Sequence, residues 1–294
     1  MKRQPMKRKC KQYQSGFSLV ELIVVMVLIG IIGGVLSLQL APAIRSYLLV
    51  GQRAALTTQA DTALRSIVGE VRSAVPNSLR LRNAQCLDLV PTKDGGRYRT
   101  GPDTGNGTVS GNFLDASGPT DRFDVLTPLG NLPLDGDAIV IGNQNTGDVY
   151  NQVNVGIVDG PNTGPASSAA TGMSGVRLRA PIQIPPGYDG GRFLIVPAAE
   201  KVVTYACDQQ VGETGGTGTG TLYRFASNQF HNTATCEIPA DRAVVATKVS
   251  HCAFIYSPNQ GATQENGFVQ LQLTLSDKGE AVPLTLGAHV DNMP

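Results

Sequence analysis

Glu21 is the first residue whose type and position could do chemistry. It stands alone at the start of residues 22–44, a run of 23 residues without a charged side chain. A carboxylate deep in a membrane helix costs about 2.5–3.5 kcal/mol on insertion scales, and less near the helix end. Pairing with an opposite charge relieves this desolvation, because each charge then stabilises the other. A lone carboxylate at this position is therefore expected to have a function; the alternative is a carboxylate that only reaches the lipid headgroups.

Cysteines offer a second kind of chemistry. Cys10 precedes the apolar run, whereas Cys86, Cys207, Cys236 and Cys252 follow it. An even number of cysteines in an exported domain predicts two disulfides, and four cysteines allow three connectivities. A zinc site is the alternative, but no two cysteines have C-x-x-C spacing and the three histidines are scattered. We expect disulfides and no bound metal.

No catalytic arrangement is evident in the sequence. His251 adjoins Cys252 on a predicted strand, where neighbouring side chains point to opposite faces, so the two do not form a nucleophilic pair. His231 and His289 are isolated, and no G-x-S-x-G, H-E-x-x-H, P-loop or G-x-G-x-x-G motif is present. The Gly-Thr repeat at residues 216–220 predicts a flexible loop. We expect neither an enzyme nor a bound cofactor.

A loop around residue 110 carries acidic side chains that superficially suggest a calcium site. Asp103, Asp115 and Asp121 lie there among glycines and asparagines, and acidic loops supply the oxygen ligands that calcium prefers. The spacing does not follow the D-x-[DN]-x-[DN]-G-x₅-E pattern. The segment is predicted to be a solvated, turn-rich loop.

The apolar run that follows Glu21 is long enough to cross a membrane, which needs about 20 residues. The positive-inside rule keeps a basic leader in the cytoplasm and places the following bulk of the chain in an oxidising periplasm. A secretory signal is the alternative, but its apolar core should be only about 7–15 residues long. The leader contains no acidic residue and six basic ones: Lys2, Arg3, Lys7, Arg8, Lys9 and Lys11.

Residues 16–21, with the sequence GFSLVE, resemble the class III signal of type IV prepilins and pseudopilins. In that family a short basic leader ends in Gly, Phe follows, and Glu stands four residues later. The resemblance implies that a prepilin peptidase cuts between Gly16 and Phe17 and methylates the new Phe17 amine. It also implies that Glu21 neutralises the N-terminal ammonium of a neighbouring subunit. Pro42 should kink the helix or melt it locally near the membrane exit.

The rest of the chain predicts an α+β fold that is type IV pilin-like: a long N-terminal helix, transmembrane and then amphipathic, packed on a C-terminal antiparallel β-rich domain. We divide the chain into a removed leader (1–16), a helix (17–76, transmembrane at about 19–44) and one globular domain (77–294). The apolar stripe of the helix recurs every three or four residues: Leu56, Ala60, Leu64, Ile67, Val71 and Val75.

Strands are predicted wherever apolar residues alternate with polar ones or form short runs between Gly- and Pro-rich segments. Residues 269–275 show the clearest alternation. Long loops are expected at 92–121, 160–175 and 209–220. The predicted strands are 86–90, 124–126, 137–141, 149–158, 176–184, 192–196, 201–207, 221–225, 244–256, 267–276 and 282–290.

Charge and the C-terminal pattern define the expected function. Without the six leader cations, 18 of the 24 Lys and Arg remain against 23 Asp and Glu, a net charge of −5, so we expect no nucleic-acid partner.

Residues 201–207, the TLYR hairpin ending at Arg224, and residues 249–256 resemble the MshO group of minor prepilins of the mannose-sensitive haemagglutinin (MSHA) type pilus. They are also similar to J-class minor pseudopilins of type II secretion, many of which lack such cysteine pairs.

The resemblance implies a minor prepilin needed for pilus assembly or for initiation at the tip. Its partners would be other minor and major pilins, the prepilin peptidase and the inner-membrane assembly platform. The chain would start as a single-pass inner-membrane protein and end in a pilus or pseudopilus at the cell surface. The alternatives are a J-like secretion pseudopilin and a tip adhesin that binds a surface ligand through its loops.

Overall fold

A computed structural model describes residues 16–104, 111–160, 174–184, 187–188, 190–258 and 267–290. The chain divides into two compact units, Met1–Gly51 and Gln52–Pro294. The leader through residue 15, with Cys10, lies outside the described residues, as do the glycines and asparagine at 105–107 of the predicted acidic loop.

Helix α1 (Leu19–Arg72) has 54 residues. The helix was predicted at 17–76; it ends four residues before residue 76, because the backbone there turns and begins to pair with a strand. The Ser73 N–H bonds the carbonyls of the preceding helical turn, and Val75 N–H donates to Val90 O at 2.8 Å. The assigned helix continues through Pro42, so no break in secondary structure occurs there, and a kink at Pro42 stays a prediction.

The C-terminal part of α1 carries the predicted apolar stripe. Its side chains are buried and belong to the main hydrophobic core of the second unit, which explains why the unit boundary lies within the helix at Gly51 and not after it. The buried residues of the stripe are Leu56, Ala60, Ala63, Leu64, Ile67, Val68 and Val71.

The second unit is rich in strands, as predicted. Nearly all the predicted strands are present with boundaries shifted by a few residues. The described strands, in chain order, are β1 (Arg80–Asn83), β2 (Cys86–Leu89), β3 (Asp94–Arg97), β4 (Thr120–Val125), β5 (Ala138–Val140), β6 (Val155–Ile157), β7 (Ser174–Ile182), β8 (Arg192–Val196), β9 (Val202–Cys207), β10 (Glu213–Thr214), β11 (Thr217–Gly218), β12 (Gly220–Ser227), β13 (Ala243–Ser257), β14 (Gly267–Asp277) and β15 (Glu280–Val290).

Seven strands form the main sheet, in the order β1-β2-β9-β12-β13-β14-β15, and every neighbouring pair is antiparallel. On β14, Val269, Leu271 and Leu273 are buried against the core that contains the α1 stripe, whereas the residues between them face outward. The alternation seen in the sequence therefore marks one packed face and one wet face.

Residues between β2 and β9 build a second hydrophobic cluster. It includes a four-stranded sheet, in the order β3-β8-β5-β6, and the pair β4-β7. Phe123 lies at its centre, with ring centroids 5.9 Å from Tyr98 and 5.3 Å from Phe193 in edge-on contacts. A third cluster, which includes Val90 and Val202, completes the packing of this unit.

Three local predictions were wrong. The expected long loop at 92–121 contains strand β3 (Asp94–Arg97), which pairs with β8. Residues 146–150, partly within a predicted strand, form the short helix α2 (Thr146–Tyr150), because Asp148 Oδ2 accepts the Asn145 N–H at 2.9 Å and starts a helical turn. The Gly-Thr repeat is not a flexible loop but the hairpin β10–β11. Gly215 and Gly216 supply its two positive φ angles of 59° and 75°, the pattern of a tight hairpin turn.

Two disulfides join the four cysteines of the second unit: Cys86 with Cys236, and Cys207 with Cys252. The sequence allows three connectivities. In the observed one, the bonded cysteines are separated along the chain by 150 and 45 residues. Cys207 and Cys252 are buried in the main core, so this bridge ties β9 to β13 across the end of the sheet.

Replacing the Cys207–Cys252 bridge with Cys207→Ala and Cys252→Ala is expected to lower the free energy of unfolding by about 2–4 kcal/mol, because the unfolded chain gains loop entropy. Urea denaturation of the purified chain measures the change. Thr58→Ala, at an exposed position of α1 within the second unit, is the control and should leave the denaturation midpoint nearly unchanged. An unchanged midpoint in the double variant would contradict the structural role of the bridge.

Candidate processing and assembly site

Gly16, Phe17 and Ser18 precede α1 in non-helical backbone and are exposed. Nothing lies within 4 Å of the position that a Cβ would occupy at Gly16, and Phe17 is 81% exposed. The Gly16–Phe17 peptide bond therefore lies outside the hydrogen-bonded helix, and no described residue covers it.

Ser18 determines where α1 starts. Its Oγ accepts the Glu21 N–H at 3.2 Å, and its carbonyl accepts the Leu22 N–H at 3.2 Å. Ser and Glu at this spacing are the sequence signature of a helix N-terminus, a signal that the sequence analysis missed. The cap places the Glu21 carboxylate in the first turn, where the helix dipole favours negative charge.

The first unit exposes an apolar surface along α1. Every large apolar side chain from Leu19 to Val50 is at least 44% exposed. In the described part of the chain, α1 is the one helix that is long and apolar enough to cross a membrane. An apolar surface of this extent requires lipid or other helices to cover it.

The aspartates of the predicted loop do not converge. Asp103 lies near Arg99, with Oδ2 3.9 Å from Nη1, and Asp121 lies beside Arg122. Asp115 Oδ1 accepts the hydroxyl and the N–H of Ser117, and these hydrogen bonds lower the pKa of its carboxyl. Within the described ranges, no three metal-binding side chains come together.

The three histidines lie apart. His251 is exposed on β13, while its neighbour Cys252 is buried in a disulfide, so no Cys–His pair exists there. The His289 ring packs edge-on against Phe268, with centroids 5.4 Å apart. Burial, and next the positive charge of Arg82, lower the pKa of His231.

Arg224, in the hairpin that carries the C-terminal resemblance, connects α1 to the sheet. Its Nε donates to Glu70 Oε1 on α1 at 2.9 Å, and its Nη2 donates to Glu200 Oε2 at 2.8 Å. The hydrogen bonds from Arg224 lower the pKa of the Glu200 carboxyl. The residue therefore has a structural role that the sequence pattern did not reveal.

A buried charge cluster at Asp88 was missed by the sequence analysis. The Asp88 side chain is fully buried on β2, and its Oδ2 accepts Arg80 Nε at 2.9 Å and Arg82 Nε at 2.7 Å. Its Oδ1 accepts the Thr204 hydroxyl at 2.7 Å. The same two arginines donate to the carbonyls at 231 and 235, so the cluster also fastens this segment over the sheet.

Comparison with known proteins gives one match. Residues 11–37 match the family model of the prokaryotic N-terminal methylation motif. No curated protein and no solved structure matches the chain significantly. The matched motif implies a substrate of prepilin peptidase that assembles with other pilins. Together with the exposed apolar helix that follows it, the motif supports a type IV pilin-like or pseudopilin subunit anchored in a membrane.

Proposed function

We propose that the chain is a minor prepilin of a type IV, MSHA-like pilus, and that it acts in assembly or initiation at the pilus tip as a structural subunit and not as an enzyme. The observation that carries this proposal is the methylation motif at residues 11–37, which continues into an N-capped helix with an exposed apolar surface. Such a segment is suited to insert in a membrane first and to pack against other helices afterwards.

Processing follows from the same segment. The basic leader stays in the cytoplasm, the peptidase cuts between Gly16 and Phe17, and the new Phe17 amine is methylated. The globular residues then lie in the periplasm. Two disulfides in these residues support this orientation, because such bonds persist in oxidising compartments.

Size favours a minor role. The 218 residues from 77 to 294 would crowd a regularly repeating shaft, so a cap or initiation complex suits this chain better. The second candidate is a J-like secretion pseudopilin, because that class has a similar TLYR hairpin. In this chain, Arg224 of the hairpin ties α1 to the sheet. Deletion that stops secretion and leaves piliation unchanged would favour that candidate.

Glu21→Ala tests the assembly role. We expect normal cleavage, because residues 16–18 are unchanged, but at least about a tenfold loss of the chain from sheared filaments. The reason is that an N-terminal ammonium buried among helices without its carboxylate partner costs several kcal/mol. The measurement is the ratio of filament-bound to membrane-bound chain.

Glu213→Ala, an exposed carboxylate of the β10–β11 hairpin, is the matched control and should incorporate normally. Filaments that contain Glu21→Ala at the parent level would refute the pairing role.

A further inference from the structure

Three long strands at one end of the main sheet have one face that none of the described segments covers. The open face consists of every second residue from 251 to 257 on β13, from 268 to 274 on β14 and from 281 to 289 on β15. The register places these residues side by side, as in the pairs Ile255 with Gln270 and Phe268 with His289. The residues between them point into the core.

The open face contains no Asp, Glu, Lys or Arg at any of its positions, although the chain has 47 such residues. The charges of these strands lie at the opposite end, where Lys248 donates to Asp277 at 2.6 Å. Ile255 is 48% exposed and Phe268 is 41% exposed. Depletion of charged residues is typical of the centre of a protein interface.

At the other end of the same sheet, another segment of the chain covers the outer face. There, the segment that follows Phe230 lies over β1 and β2, held by the Cys86–Cys236 bridge and by the arginine donors to the carbonyls at 231 and 235. The described residues therefore cover the outer face at β1 and β2 and leave the uncharged part without such a cover.

Strand addition at the edge does not explain this surface. β15 is the edge strand of the sheet, and Pro283 lies within it. Proline cannot donate to a ladder, so within sheets it occupies edges with its nitrogen toward the solvent, where it protects against pairing. A partner must therefore contact the side chains of the face and not the backbone edge.

The size of the open face indicates how a partner is held. Three strands, with lengths of seven to nine residues, cover roughly 350 Å², whereas a stable complex needs about 800 Å² from each partner. A contact this small holds a partner that is already tethered nearby, because tethering raises the effective concentration to about millimolar. Membrane helices such as α1 supply that tether.

From these observations we propose that the open face docks the globular domain of a different pilin-like subunit, through a surface that likewise lacks charge. This inference rests on the proposed function, since the helices of the two subunits hold them side by side. Phe268 lies at one end of the contact, in the row that it shares with Ser257 and His289. Its ring lies over Gly287, where an added Cβ would come within 2.5 Å of Phe268 Cζ, and against His289, so little side-chain freedom is lost on docking.

Single charges placed on the open face test the proposal in the full-length chain, expressed in its own cells. Ile255→Lys and Thr285→Lys should each lower the amount of chain in sheared filaments about tenfold, while the melting temperature of the purified chain stays unchanged. Val244→Lys is the matched control, because Val244 is on the same strand as Ile255, is 59% exposed and lies outside the open face. It should incorporate like the parent.

Photo-crosslinking identifies the partner. A photoreactive amino acid in place of Gln272 should give an adduct with another chain that carries an N-terminal methylation motif, and the same group at position 244 should not. An adduct with a second copy of this chain, or normal incorporation of both lysine variants, would overturn the docking face. A parent chain absent from filaments, with piliation unchanged on deletion, would instead overturn the proposed function itself.

Discussion

Gly16→Val is expected to keep the leader on the chain, so that the protein retains all 294 residues and the six leader cations. The proposed cut lies directly after Gly16, in exposed backbone ahead of α1. A β-branched side chain next to the cleaved bond restricts the backbone and crowds a protease that must approach it closely. Because the Phe17 amine is then never freed, the chain should remain in the membrane and be absent from filaments.

Intact mass after membrane extraction measures this outcome, since the parent should lack residues 1–16 and carry a methyl group on Phe17. Gly30→Val is the matched control. Gly30 lies within α1 and has nothing within 4 Å of its Cβ position, so this variant should be cut normally. A Gly16→Val chain trimmed to begin at Phe17 would show that the processing site lies elsewhere or tolerates bulk.

Asp88→Ala should destabilise the second unit by about 3–5 kcal/mol, which is a large part of the stability of a typical domain. The substitution leaves the guanidinium groups of Arg80 and Arg82 without their shared carboxylate, and their side chains are only 13% and 5% exposed. It also removes the acceptor of the Thr204 hydroxyl. Breaking one partner of a buried charge cluster is costly because the remaining charges stay desolvated.

Urea denaturation with two comparison variants separates this effect from a general loss of charge. Asp61→Ala removes an exposed carboxylate from its helical pair with Arg65 and should cost at most about 0.5 kcal/mol. Asp88→Leu combined with Arg80→Met and Arg82→Met should recover much of the stability, since apolar replacement of a whole buried cluster is often tolerated. A denaturation midpoint for Asp88→Ala equal to that of Asp61→Ala would contradict the buried-charge argument.

The sequence by itself determined the features that depend on local spacing. The uncharged run after Glu21 and the GFSLVE segment indicated the apolar helix and the N-terminal methylation motif that precedes and overlaps it. The stripe from Leu56 to Val71 predicted the packed half of α1, because positions three and four apart share one helix face. The alternation along β14 predicted its buried and exposed faces, because successive side chains of a strand point to opposite faces of the sheet. Each of these patterns is complete within a few turns or one strand.

Tertiary structure alone decided how distant segments meet. The choice among three cysteine connectivities, the sharing of Asp88 by two arginines, and the uncharged surface around Phe268 all depend on which strands pair and in which register. That register is a property of several segments, separated by up to 150 residues in the case of Cys86 and Cys236. No local sequence pattern specifies this register, because the burial of a side chain and its contact partners are defined only once the strands are assembled.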